Sequence, residues 1–149
     1  MFALGGTKQG ALFGEAIVVV NEQLKKDFRY IIKQKGGMLA KGWLLGLQFE
    51  ALLEGNRYLD LSAQANRLAT TFRDALLGVG VAFLTPSNTN QQFPILQNSV
   101  LDSLKDKYGW STIKKVDDTR TAVRFCFSWA RTESDLNSLL RDMKLALEK

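Results

Sequence analysis

The sequence predicts an α+β fold in which helices cover one face of a mostly antiparallel sheet. Apolar residues between 61 and 76 recur at intervals of three and four, which is typical of one face of an α-helix. Residues 122–129 instead alternate, with Val123 and Phe125 on one face and Arg124 on the other, which predicts a strand. A second helical pattern runs from 133 to 147, after a capping box that Thr132 and Asp135 can form.

The first third of the chain is richer in glycine and less regular. Residues 11–20 form an apolar run that predicts a buried strand, preceded by a glycine-punctuated loop. Helical spacing from 22 to 53 is interrupted by Gly36 and Gly37. Because an interior glycine costs a helix about 1 kcal/mol relative to alanine, this stretch predicts two helical pieces.

Four shorter elements are predicted in the second half. Residues 79–83 and 91–97 are two strands that can form a hairpin around a polar turn. A short helix follows at 99–108, and a strand at 112–116 precedes the strand at 122–129.

Composition excludes several classes of protein. With 149 residues, 46% of them apolar and 23% charged, the chain is long enough for one globular domain and too apolar to be disordered. No apolar run approaches the ~20 residues of a membrane-spanning helix, and the first six residues do not resemble a secretory signal. These features predict a cytoplasmic protein without a membrane partner.

The counts of cysteine and histidine restrict the chemistry. One cysteine, Cys126, cannot form an internal disulfide and supplies too few thiolates for a zinc or iron–sulfur site. The absence of histidine excludes mechanisms that need an imidazole base and most catalytic metal sites, so no metal is expected.

The formal charge of +5 is concentrated between Glu22 and Lys41. Six basic residues in this window lie on a helix-like pattern, which favours a solvated helix face over a nucleic-acid surface. Interleaved aromatics for base stacking are missing, so no nucleic-acid partner is expected.

Lys8 stands in the glycine-rich segment GGTKQG at 5–10. Taken by itself, this pattern is most often an exposed turn, and its spacing is not that of a P-loop. A deprotonated lysine amine on such a loop can also form a Schiff base with a carbonyl cofactor.

Arg124 lies at the centre of an otherwise apolar strand, where its guanidinium should hold an anion. The two candidates are an internal Asp or Glu, which spacing alone favours, and the carboxylate of a substrate. Arg120 could add a second donor. Cys126, on the same face, is expected to be a small apolar filler.

Residues 5–16, GGTKQGALFGEA, resemble the cofactor-lysine segment of the low-specificity L-threonine aldolases. This family lies in the aspartate-aminotransferase fold superfamily, which is α/β as a whole and uses pyridoxal phosphate. The resemblance continues in the same order through later segments, at 28–31, 33–34, 48–54, 64–69, 123–125 and 128–130.

The resemblance implies roles for particular residues. Lys8 resembles the lysine that binds the cofactor covalently, with Thr7 beside it in the cofactor site. Lys33 resembles a basic residue near the active site that reaches the cofactor phosphate. Arg124 resembles the arginine that grips the substrate α-carboxylate, and Arg120 is a second candidate for that carboxylate.

The resemblance also implies an organisation. Residues 1–54 correspond to a remnant of the cofactor-binding large domain, and residues 55–149 to the C-terminal small domain. In the family the cofactor lysine lies past the middle of the subunit, so we expect a truncated, homo-oligomeric protein with little or no activity alone. Intact members cleave β-hydroxy amino acids such as L-threonine and L-allo-threonine to glycine and an aldehyde. The alternative is a non-catalytic oligomeric α+β module.

Overall fold

The structure is a computed structural model that describes residues 1–148. It contains two compact units, Met1–Asp60 and a second that begins at Leu61. The division falls at the end of the first turn of a long helix, Arg57–Gly78.

The first unit contains a two-stranded antiparallel ribbon and two helices. Strand β1 (Phe2–Gly5) pairs with β2 (Glu15–Val18), and the turn between them contains a short 3-10 segment, Thr7–Gln9. Helix α1 spans Phe28–Gln34 and α2 spans Trp43–Leu53.

Two predictions for this unit have different outcomes. The interruption of the helical pattern at Gly36 is confirmed, because α1 ends before this residue, whose φ is +76°. The buried strand over residues 11–20 was wrong in both extent and burial. Only residues 15–18 are extended, and the side chain of Ile17 is 50% exposed. A two-stranded ribbon has too little sheet to bury either face by itself.

The second unit is built around the antiparallel strand β6 (Arg120–Cys126). Strands β3 (Gln91–Gln92) and β4 (Ile95–Gln97) pair with one edge of β6, and β5 (Ser111–Lys115) pairs with the other. The helices of this unit are α3 (Arg57–Gly78, which begins in the first unit), α4 (Asn98–Leu104) and α5 (Glu133–Leu147).

The core of the second unit lies between the helices and one face of β6. Val123, Phe125 and Phe127 point into it and are 0%, 5% and 6% exposed. The ring of Phe72, from α3, lies 5.1 Å from that of Phe125 and 5.5 Å from that of Phe127. The predicted alternation is confirmed up to this point, but Trp129 lies past the end of the strand and is exposed.

The predicted hairpin at 79–97 forms without a regular first strand. The chain turns at Gly80, whose φ is +81°, and Phe83 makes a single antiparallel bridge to Pro94. Pro94 also divides the predicted second strand into β3 and β4, because a proline nitrogen has no hydrogen to donate to a neighbouring strand.

The predicted α+β class, with helices on an antiparallel sheet, is confirmed. The capping box of α5 is also present, with the Asp135 amide donating to the Thr132 hydroxyl. Among residues 1–148, no helix is long and apolar enough to cross a membrane.

Candidate functional site

Lys8 is exposed on the 3-10 turn Thr7–Gln9, between β1 and β2. The turn begins after Gly6 and ends at Gly10, whose φ is +108°. The amides of Gln9 and Ala11 both donate to the carbonyl oxygen of Gly6, each at 3.0 Å. The lysine is thus attached to a closed backbone loop with its side chain available to other molecules.

Glycine is required at two positions around this turn. A Cβ at Gly6 would lie 2.8 Å from the Cβ of Ala11 and 3.0 Å from Cζ of Phe49. A Cβ at Gly14 would lie only 2.3 Å from Cδ2 of Leu45, and φ at Gly14 is +88°. Helix α2 therefore packs directly against the backbone that carries Lys8.

Side chains elsewhere in the first unit also hold this loop. The Tyr58 hydroxyl donates to the carbonyl oxygen of Gly5 at 2.9 Å. The amide of Leu12 donates to Oε1 of Gln48 at 2.7 Å, and Nε2 of Gln48 donates to the carbonyl of Leu44 at 3.1 Å. Sequence reasoning missed these supports. The one available signal was the helical spacing of Leu45, Gln48 and Phe49 on a single face of α2.

Thr7 and Lys33 lie in the same unit as Lys8. Thr7 precedes Lys8 on the 3-10 turn, and its side chain is exposed. Lys33 is exposed in the last turn of α1. Their assignment to a cofactor phosphate stays a prediction.

Arg124 lies in the second unit, half-buried on the face of β6 opposite Phe125. Its Nη1 donates to Oε1 of Gln91 at 3.3 Å, and its Nη2 donates to Oγ of Ser111 at 3.2 Å. Its Nε is buried and has no hydrogen-bond partner among residues 1–148.

The internal salt bridge that spacing favoured for Arg124 was therefore wrong. The residues that pair opposite this stretch of β6 present an amide and a hydroxyl, and both hydrogen bonds are long for a guanidinium donor. A half-buried cation whose partners are neutral is suited to binding an anion.

Arg120, at the start of β6, is in a different environment. Its Nε and Nη2 both lie 2.7 Å from Oδ2 of Asp117. The backbone amide of Thr119 and the Arg120 side chain lower the pKa of Asp117 to about 2. Arg120 therefore closes the turn between β5 and β6. Its role with a substrate carboxylate stays a prediction.

Cys126 is exposed, so its assignment as an apolar filler was wrong. It ends β6 and lies beside a cleft of about 380 Å³ that is also lined by Tyr108, Phe127 and Arg131. Cys126 pairs with Gln91 of β3, and Nδ2 of Asn90 donates to its Sγ at 3.6 Å. None of the candidate site residues lines this cleft, namely Thr7, Lys8, Lys33, Arg120 and Arg124.

Comparison with known proteins identifies relatives over nearly the whole chain. A low specificity L-threonine aldolase of Pseudomonas sp. (strain NCIMB 10558) is 30% identical over 148 residues. The enzyme of the same description from Pseudomonas aeruginosa is 29% identical over 148 residues. A solved structure of Leishmania major threonine aldolase matches with a TM-score of 0.91 at 38% identity over 97% of this chain. Over nearly its whole length, this chain is similar to threonine aldolases.

The similarity covers less than half of the length of the related threonine aldolases. The two sequence alignments span 99% of this chain but only 42% of each Pseudomonas relative. The structural match spans 43% of the Leishmania chain. This share fits the expected correspondence to a C-terminal portion. No family model matches the sequence. The resemblance inferred from residues 5–16 and the later segments is confirmed.

We expect Gly14→Ala to destabilise the first unit by about 1–2 kcal/mol, because alanine is strained in a left-handed backbone and the Leu45 side chain must also shift. Urea unfolding followed by the fluorescence of Trp43, in a background that carries Trp110→Phe and Trp129→Phe, measures the effect. Gly5→Ala is the control, since a Cβ there meets no atom within 4 Å. Equal stability of the two variants would contradict the packing described for Gly14.

We expect the carboxyl of Asp117 to stabilise the second unit in a pH-dependent way. Its pKa in the folded state, about 2, lies below its ordinary value of 3.8, so the stabilisation is complete above about pH 4 and is lost as the pH falls through 2. Asp117→Asn should remove this component from urea midpoints measured between pH 7 and 2. Asp118→Asn, which changes the neighbouring exposed carboxyl, should keep it. Parallel curves for the wild type and Asp117→Asn would contradict the assignment.

Proposed function

We propose that this chain carries the lysine-bearing and arginine-bearing part of a pyridoxal-phosphate-dependent aldolase. The intact enzyme would cleave β-hydroxy amino acids, such as L-threonine and L-allo-threonine, to glycine and an aldehyde. The observation that carries the proposal is the exposed Lys8 on a glycine-closed turn, in a chain related to threonine aldolases over nearly all its length. The substrate that this reaction requires is a small-molecule amino acid.

Three exposed side chains of the first unit carry groups that can bind the cofactor, those of Lys8, Thr7 and Lys33. When bound, pyridoxal phosphate supplies a carbonyl carbon for a lysine amine and an electron sink for the bond that is cleaved. Lys8 is the residue that would hold it, and its Nζ must lose a proton before it can attack a carbonyl. The hydroxyl of Thr7 and the ammonium of Lys33 are donors suited to phosphate oxygens.

Close packing of α2 against Gly6 and Gly14 gives this arrangement its rigidity. A reactive amine loses less entropy on reaction when the backbone that carries it is already fixed. The hydrogen bond from Tyr58 to Gly5 fixes the other side of the turn. These contacts therefore favour a positioning function for the loop around Lys8 over an ordinary surface turn.

Arg124 is the residue that we assign to the substrate carboxylate. A guanidinium matches a carboxylate with two parallel hydrogen bonds, which fixes the orientation of the amino acid. Its present partners, Gln91 and Ser111, are neutral and lie 3.3 and 3.2 Å away. Exchanging them for a carboxylate replaces long hydrogen bonds to neutral acceptors by an ion pair with two hydrogen bonds, and no existing ion pair has to break.

Arg120 is a weaker candidate for the same carboxylate. Its guanidinium already shares an oxygen of Asp117, and release of Arg120 would remove one of the hydrogen bonds that close the turn. We therefore propose that Arg120 stabilises the turn before β6 and that Arg124 binds the substrate carboxylate.

We expect residues 1–149 by themselves to have little or no aldolase activity. They contain no histidine to stack on a pyridine ring and span 42% of the length of the related enzymes. The alternative, a non-catalytic oligomeric module, is favoured by the large apolar side chains that the first unit exposes, among them Leu12, Trp43 and Leu47.

We expect pyridoxal phosphate, after borohydride reduction, to be attached mainly to the peptide that contains Lys8. Absorbance titration followed by peptide mass mapping measures this. Lys8→Ala should abolish the specific label, whereas Lys26→Ala, which removes a lysine from the basic stretch, should keep it. Labelling that is scattered over surface lysines, or absent, would overturn the assignment of Lys8.

We expect Arg124→Gln to weaken the binding of an amino acid carboxylate roughly 10- to 150-fold, because hydrogen bonds to charged groups contribute about 1.5–3 kcal/mol. Titration of the ¹⁵N-labelled chain with L-allo-threonine, monitored by NMR at the backbone amides of Ser111 and Arg124, measures affinity without cofactor. Arg141→Gln, in the exposed part of α5, is the matched control. Unchanged affinity in Arg124→Gln would contradict its role.

A further inference from the structure

The guanidinium of Arg124 is held from both edges of β6. Gln91 of β3 accepts a hydrogen bond from Nη1 at 3.3 Å, and Ser111 of β5 accepts one from Nη2 at 3.2 Å. Ser111 is the direct cross-strand neighbour of Arg124, whereas Gln91 pairs with Cys126, two residues further along β6. The two terminal nitrogens are therefore tied to different strands, and both acceptors are uncharged.

The backbone of Gln91 is itself fixed by hydrogen bonds. Its amide donates to Oγ1 of Thr89 at 3.2 Å. Nδ2 of Asn90 donates to the carbonyl oxygen of Phe127 at 2.6 Å, and the Phe127 amide donates to the carbonyl oxygen of Asn90 at 2.9 Å. The next residue, Gln92, is fully buried, and its Nε2 donates to the carbonyl oxygen of Thr89 at 3.0 Å. Gln91 therefore approaches Arg124 from a fixed position.

The sheet around Arg124 offers no carboxylate. Strands β3 to β6, all of whose residues the structure describes, contain no aspartate or glutamate but four basic residues, Lys114, Lys115, Arg120 and Arg124. The carboxylate of Asp117, in the turn before β6, is bound by Arg120. Arg120 lies four residues from Arg124, or about 13 Å along the strand. Because this distance exceeds the ~8 Å over which charges are screened at physiological salt, the Arg124 charge is left uncompensated.

We propose that Gln91 and Ser111 are specificity-determining residues, which make Arg124 selective for a carboxylate. The inference rests on the proposed function, because it takes Arg124 as the residue that binds the substrate carboxylate. The two acceptors fix the direction of the guanidinium before a ligand arrives, which reduces the entropy that binding costs. They do not neutralise its charge, so an anionic group gains more at this position than a neutral group does.

The neutral character of residue 91 is what this selectivity requires. Glutamate has nearly the same shape as glutamine, so a carboxylate at this position would form an ion pair with Arg124. A substrate carboxylate would then have to displace a charged competitor and leave it unpaired. The glutamine holds the guanidinium in the same direction through a hydrogen bond that a carboxylate can replace.

Exchange of Gln91 for its charged counterpart tests the inference. The ¹⁵N-labelled full chain is titrated with L-allo-threonine and, separately, with its amide, L-allo-threoninamide, and NMR follows the backbone amides of residues 111 and 124. We expect the wild type to prefer the carboxylate about tenfold or more. Gln91→Glu should reduce this ratio of affinities about fivefold or more, because the new ion pair competes with the ligand. A merely structural disturbance would weaken both ligands alike and leave the ratio unchanged.

A second variant and a matched control complete the test. Ser111→Asp places a carboxylate on the opposite edge of β6 and should reduce the ratio in the same way. Gln97→Glu makes the same exchange in β4, opposite Arg120, and should keep the wild-type ratio.

Two patterns of results separate this inference from the proposed function. An unchanged ratio in either folded variant, Gln91→Glu or Ser111→Asp, or an equal loss in Gln97→Glu, would overturn the inference. The proposed function would stand in that case, provided that Arg124→Gln still weakens the binding of L-allo-threonine. A wild type without a preference for the carboxylate, or unchanged affinity in Arg124→Gln, would overturn the proposed role of Arg124 and the inference with it.

Discussion

Strand β6 is hydrogen-bonded along both edges, and the second unit depends on its register. Because side chains alternate across a strand, a slip of one residue would exchange its two faces. Phe125 and Phe127 pack against Phe72 on the helix side. A slip would expose both rings and lose the free energy of their apolar burial, so this register is strongly favoured. The same packing holds Arg124 on the opposite face. The position of the charged residue is therefore fixed by the aromatic residues beside it in the sequence.

The first unit depends on a different kind of constraint. Its buried apolar residues are Ala11, Phe49 and Leu52, compared with a continuous core of 16 buried residues in the second unit. The turn that carries Lys8 is held instead by backbone hydrogen bonds and by contacts that only glycine permits. Such contacts specify a local conformation sharply but add little to global stability, because they bury little apolar surface.

The elements that could be predicted from the sequence are those with a long, unbroken pattern. Helices α3 and α5 and strand β6 each repeat their periodicity several times, and the structure confirms them. Strand β1 was missed because four residues cannot establish a period. The break at Pro94 was missed because the apolar pattern continues across it, although proline cannot donate a backbone hydrogen bond.

The candidate site was predictable to different degrees. Lys8 in a glycine-rich loop is ordinary in composition, and only its resemblance to a known segment distinguished it. The neutral surroundings of Arg124 could not be read from the sequence, because Gln91 and Ser111 come from strands that meet β6 only after folding. The exposure of Cys126 could not be read from its place in an apolar strand either.

Strand β5 forms an edge of the sheet, and all five of its side chains are exposed. Its pairing with β6 shifts register between Thr112 and Lys114, and two consecutive lysines end it. A regular uncharged edge would offer the next molecule a template for further strands, whereas a bulge and repelling charges obstruct such growth. The sheet is thereby protected at this edge against extension into fibrils.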